Sequence, residues 1–143
     1  MNIAHLDHLN LTVADLDATI DWYGRVFGFT QVEEGLRDGL RWAVIRGGEA
    51  MLCIYERKDL QFLDRFGVQD KGLHAVSHFA LRIDDVEAWE ATIEREKVDV
   101  IYDGEVEWPR SRSWYVTDPT GYEVEVVAWN NDSISFAPMT QAV

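Results

Sequence analysis

One cysteine, Cys53, is present in the 143-residue sequence, so no disulfide can form within the chain. That fits a reducing compartment. There is no apolar run of about 18 or more residues, the length a helix needs to cross a bilayer. The opening Met1-Asn2-Ile3-Ala4-His5 also lacks the charged and apolar regions of a secretory signal. Basic residues are scarce: 13 Lys and Arg stand against 26 Asp and Glu, a formal net charge of -13. A field of that sign repels phosphates, which argues against nucleic acid and anionic membrane as partners and favours cations, metal ions included. The expected location is the cytoplasm.

What is present is enough for a real core in a single domain, with 47% apolar and 12% aromatic residues. Leu6 to Val13 reads as a strand, with Leu9, Leu11 and Val13 alternating with His8, Asn10 and Thr12. Asp15 or Asp17 can cap a helix whose apolar positions are Leu16, Ile20, Tyr23 and Phe27, and Gly28 is a natural stop. Three short strands follow at 30–34, 40–46 and 50–55, separated by glycine-containing turns. The polar stretch to Leu73 reads as a connector, with Leu60, Phe62, Leu63 and Phe66 as a short helical anchor.

After the connector the pattern restarts. His78-Phe-Ala-Leu-Arg-Ile-Asp-Asp-Val86 aligns without a gap on His8-Leu-Asn-Leu-Thr-Val-Ala-Asp-Leu16, the mark of an internal repeat. A second helix is expected over 85–97, then strands at 100–102, 113–116 and 122–128. The expected fold class is α+β: paired β-α-β-β-β modules, about 5–56 and 74–129, forming an open barrel around a cleft. The connector covers 57–73 and a polar tail 130–143.

The repeat carries the candidate chemistry. Each histidine heads its strand on the face opposite the leucines, so both are expected to look into the cleft. In the last hairpin, Asp118-Pro119-Thr120-Gly121 supplies the turn, and Tyr122, Val124 and Val126 share one face. Glu125 lies on the other face, towards solvent or a cleft. Should it face the cleft, two imidazoles and one carboxylate meet as a set that leaves open positions on a divalent metal. His5 and His74 have no counterpart in the repeat and read as surface residues or partners of ligands, and Cys53 in its apolar strand reads as core.

The sequence resembles the vicinal oxygen chelate superfamily, which includes glyoxalase I, fosfomycin-resistance proteins, extradiol dioxygenases and bleomycin-resistance proteins. The resemblance runs over nearly all of 5–129. Its most telling parts are Leu6-Asp-His-Leu-Asn-Leu-Thr-Val-Ala-Asp-Leu16, Ile20-Asp-Trp-Tyr23, Ser77-His-Phe-Ala-Leu81 and Tyr115-Val-Thr-Asp-Pro-Thr-Gly-Tyr-Glu-Val-Glu125. It implies a metal held by His8, His78 and Glu125. Cys53 stands where glyoxalase I has a further glutamate ligand, and Glu105 stands where fosfomycin-resistance proteins place a lysine. Glu107-Trp-Pro-Arg110 lacks the acid-base histidine of extradiol dioxygenases.

The implied protein is a metal-dependent enzyme that chelates a small oxygen-bearing substrate and stabilises an oxyanion or enolate. Its cofactor would be Mn, Fe, Ni or Zn, and its chemistry that of a lyase or isomerase, an epoxide-opening transferase or a ring-cleaving dioxygenase. Tyr115 is the expected catalytic hydrogen-bond donor, and Asn10, Trp42 and Ser113 are the expected substrate contacts. Short two-module relatives usually pair, so a homodimer is expected. The alternative is a metal-free binding protein of the bleomycin-binding kind.

Overall fold

A computed structural model describes residues 2–131; nearly all of the expected tail lies outside them. The first module comprises β1 (Leu9–Val13), α1 (Leu16–Phe27), β2 (Thr30–Arg37), β3 (Leu40–Gly47) and β4 (Ala50–Glu56). A short helix, α2 (Arg65–Asp70), precedes the second module of β5 (Phe79–Arg82), α3 (Val86–Glu96), β6 (Val100–Trp108), β7 (Ser111–Thr117) and β8 (Glu123–Trp129). No helix among the described residues is long and apolar enough to cross a membrane.

The repeat is realised as one topology used twice. The strand orders are β1-β4-β3-β2 and β5-β8-β7-β6. In each four-stranded sheet the first strand runs parallel to the last, and the other neighbours are antiparallel. Contacts divide the chain into two compact units, one ending at Leu63 but including Asp118–Gly121, the other comprising Asp64–Thr117 and the chain from Tyr122.

In the first unit, Leu11, Val13, Ala43, Ile45, Leu52 and Ile54 occupy one face of the sheet and are buried, as are Leu16, Tyr23 and Val26 of α1. Each large apolar side chain taken fully out of water contributes about 1.5–3 kcal/mol. The helix starts where Asp15 accepts the Ala18 N–H at 2.9 Å, and it stops at Gly28, whose φ of 70° suits a residue without Cβ. Glu56, buried at the end of β4, accepts the Leu16 N–H at 3.1 Å and satisfies another free amide of the first turn.

The turn after β7 is part of this unit. Buried Asp118 accepts the N–H groups of Thr120 and Gly121, each at 2.9 Å, and the Tyr23 hydroxyl at 3.1 Å. Thr120 Oγ1 accepts the Ala14 N–H at 3.3 Å. The Asp-Pro-Thr-Gly motif therefore anchors a turn to α1 as well as making one.

In the second unit, α3 starts at Asp85, which accepts the Ala88 N–H at 2.9 Å, and buries Trp89. β7 and β8 are buried on both faces: Trp114, Val116, Val124 and Val126 on one, Ser113, Tyr115, Glu125 and Val127 on the other.

Several strand boundaries differ from expectation: β2 runs on to Arg37, and β7 covers Ser111–Thr117. β1 begins at Leu9 rather than Leu6 because its pairing with β4 starts at Leu9 opposite Leu52, and Leu6 is 75% exposed. β6 continues well past Tyr102 because a bulge lies within it: the register slips between Ile101 and Val106, then pairing resumes to Trp108.

Candidate metal and ligand site

In the second unit, β8 delivers Glu123 and Glu125, only 5% and 7% exposed, and β7 delivers Ser113 and Tyr115. Cross-strand pairing sets Tyr115 beside Glu125 on one side and Ala80 beside it on the other. His78 lies immediately before β5. Its Nε2 is 3.1 Å from Glu125 Oε2, and its Nδ1 is 3.4 Å from Glu123 Oε1. Ser113 donates its hydroxyl proton to Glu125 Oε1 at 2.6 Å. The structure thus brings together His78, Glu125, Ser113 and Tyr115.

Residues that the sequence did not single out surround this group. Arg65 of α2 donates from Nη1 to Glu123 Oε1 at 2.9 Å, and the Tyr102 hydroxyl donates to Glu123 Oε2 at 2.8 Å. Tyr102 and Asp103 have φ of 60° and 62°, and Gly104 has 109°. A left-handed backbone costs an L residue about 1–2 kcal/mol, so the bulge in β6 holds unfavourable conformations beside the carboxylates. The Tyr115 ring stands edge-to-face to both His78 and Tyr102, with centroids 5.5 and 5.2 Å away.

Burial, and then the negative charge of Glu125, push the Tyr115 hydroxyl above its ordinary pKa, while a hydrogen bond with Trp108 acts the other way. At neutral pH Tyr115 is therefore a neutral hydrogen-bond donor and not a base. Nothing in strand periodicity announces Arg65, which belongs to the connector. The signal available for Tyr102 was the two residues after it, Asp103-Gly104, a pair that tolerates left-handed backbone.

The first unit holds the remaining expected residues. His8 is half-exposed, and its Nδ1 lies 2.8 Å from Asp7 Oδ2. On the sheet face opposite the core, Asn10 pairs with Cys53, which pairs with Val44; Thr12 pairs with Tyr55, which pairs with Trp42. The Trp42 indole lies against Gly35, where an added Cβ would meet Cζ2 at 2.8 Å. Burial raises the Cys53 thiol pKa, with the charge of Asp7 as a lesser cause.

The donor chemistry of the second unit fits a divalent ion. Two ligands each about 2.1 Å from one ion and at right angles lie about 3.0 Å apart, close to the 3.1 Å between His78 Nε2 and Glu125 Oε2. Arg65 also leaves one of the two buried carboxylate charges without a permanent cation. Among the described residues, however, no group of three or more His, Cys, Asp or Glu is placed to hold a metal.

The sequence profile of the Glyoxalase/Bleomycin resistance protein/Dioxygenase superfamily matches residues 5–126. No curated protein matches the chain significantly. Among solved structures, a glyoxylase/bleomycin resistance protein/dioxygenase domain from Frankia sp. EAN1pec is similar with a TM-score of 0.76 and 15% identity, over 92% of this chain and 96% of that one. TnmS3, an antibiotic binding protein from Streptomyces sp. CB03234, has a TM-score of 0.66 and 22% identity, over 90% and 98%. The fosfomycin resistance protein FosX from Listeria monocytogenes, in complex with Mn(II) and sulfate, has a TM-score of 0.64 and 20% identity, over 89% and 93%. At such identities the likeness is one of fold.

Proposed function

Since the chain belongs to the Glyoxalase/Bleomycin resistance protein/Dioxygenase superfamily, we propose that it is a divalent-metal-dependent enzyme acting on a small oxygen-bearing substrate. The observation that carries this reading is the half-formed donor set of the second unit, His78 Nε2 beside Glu125 Oε2 at 3.1 Å. His8 is the third ligand, supplied by the same chain or by the partner in a homodimer. The fold is shared with Mn(II)-bound FosX.

A bound metal would supply Lewis acidity towards a substrate oxygen. The chain's own residues do the rest. Ser113 fixes one oxygen of Glu125 and leaves the other directed at His78. Tyr115, held protonated by its burial, donates a hydrogen bond to an oxygen on which negative charge develops. Asn10 contributes a side-chain amide and Trp42 a flat apolar wall seated on Gly35. The reaction lies among isomerisation or lyase chemistry, epoxide opening and ring cleavage.

A metal-free binding protein is the second reading, favoured by the pairing of His8 with Asp7 and by the fold shared with the antibiotic binding protein TnmS3. Metal analysis of untagged protein separates the two. About one equivalent of transition metal per chain, lost in His78→Ala, supports the enzyme. Protein that stays empty after reconstitution with Mn(II), Fe(II), Ni(II) and Zn(II) supports the binding protein.

A further inference from the structure

We infer that Glu123 is a positioning residue for His78, held in place by Arg65 and by Tyr102 on its left-handed bulge; the inference rests on the reading of His78 as a metal ligand. An imidazole that gives its Nε2 lone pair to a metal carries its proton on Nδ1, which then needs an acceptor. His78 Nδ1 is buried and makes no hydrogen bond. Glu123 Oε1, 3.4 Å away, is within ion-pair distance of it but out of hydrogen-bond alignment. A small turn of the ring towards Glu123 closes that contact.

The carboxylate is not free to move in its place. Oε1 accepts from Arg65 at 2.9 Å and Oε2 from Tyr102 at 2.8 Å, so rotation of the group breaks one bond or both. Tyr102 lies in the stretch where three successive residues have positive φ and the β6 register slips. Bulges of this kind re-aim a side chain. With both oxygens occupied, Glu123 is a poor proton acceptor for a substrate.

The test uses full-length protein and the variants Glu123→Gln and Tyr102→Phe, with near-ultraviolet circular dichroism to establish that each is folded. Binding of Mn(II) and Co(II) is measured by calorimetry. The imidazole N–H signal of His78 is followed by heteronuclear NMR in the metal-free protein, assigned by its loss in His78→Gln. Expected are a weakening of metal binding by about 10–100-fold in Glu123→Gln, the usual effect of losing a ligand's outer partner, a smaller loss in Tyr102→Phe, and faster solvent exchange of the His78 N–H in both. Metal affinity and N–H exchange indistinguishable from wild type in Glu123→Gln would overturn the inference. Should wild type take up no metal, the functional reading falls and the N–H signal alone decides: accelerated exchange in Glu123→Gln supports positioning by Glu123, and unchanged exchange overturns it.

Discussion

The two modules have the same strand order and the same pattern of parallel and antiparallel pairs, yet the second faces of their sheets have diverged. In the first module that face is partly open, with Trp42, Val44, Cys53 and Tyr55 half-buried and Asn10 exposed. In the second it is buried and polar at its centre, where Ser113, Glu125 and Tyr115 surround one another. The repeated histidine shows the consequence most directly: His8 meets one exposed aspartate, whereas His78 meets two buried glutamates. A duplicated backbone thus fixes where a side chain starts but leaves its chemistry to the strands beside it.

The largest effect is expected where the two hairpin turns differ. The turn between β7 and β8 hangs on buried Asp118, which accepts two backbone N–H groups and the Tyr23 hydroxyl. The turn between β3 and β4 is exposed, with Arg46 bonded to the Gly48 carbonyl. Asp118→Ala removes a buried side-chain acceptor shared by three donors, although the Gly121 N–H keeps the Asp118 carbonyl at 3.0 Å, and should cost about 3–5 kcal/mol. Tyr23→Phe should cost about 1–2 kcal/mol and Arg46→Ala less than about 0.5 kcal/mol. Urea unfolding of the three variants measures the ranking, and an Asp118→Ala protein as stable as Arg46→Ala would show that the turns are equivalent after all.

The histidines come next. His78→Ala should abolish metal binding and destabilise the metal-free protein by about 1–2 kcal/mol, since it strips a partner from two buried carboxylates. His8→Ala should leave stability within about 0.5 kcal/mol but weaken metal binding more than about 100-fold, beyond what loss of an outer partner causes. Calorimetry and thermal melts separate these effects. Undiminished metal affinity in His8→Ala would remove the first module from the ligand set.

A smaller effect is expected on the open face. Gly35→Ala puts a methyl group where the Trp42 indole now lies, 2.8 Å from Cζ2. The ring must shift, at a cost of about 1–2 kcal/mol. Tryptophan fluorescence and ligand affinity should change while metal binding does not. Unchanged affinity for every ligand that wild type binds would remove Trp42 from the substrate contacts.

The elements were legible in the sequence because each carries a local signal. The 3.6 period, Asp15 and Gly28 mark α1, and the alignment of His78–Val86 on His8–Leu16 announces the second module. Alternation separated Glu125 from the apolar face of its strand, while the resemblance singled out Ser113 and the ligand role of Glu125. Arg65 and Tyr102 were not, because their importance depends on long-range placement: one sits on a six-residue helix in the connector and the other on a bulge that breaks the alternation. The motif Asp118-Pro-Thr-Gly was legible as a turn, but its bond to Tyr23, 95 residues earlier, had no local signature.

The smallest effect separates a surface ion pair from a buried network. Arg57 grips exposed Asp59 with two hydrogen bonds, at 2.8 and 2.7 Å, and holds its pKa down from 3.8 to about 2. The folded value is depressed, so the pair's contribution is present above 3.8 and is lost as pH falls towards about 2. Asp59→Asn should flatten the dependence of stability on pH within that window, and high salt should do the same to wild type because the pair is exposed. Charges around Glu123 are shielded by burial and should respond much less to salt. Acid melts at low and high ionic strength would measure both, and a slope in that window that is unchanged by Asp59→Asn would show the pair to be energetically silent.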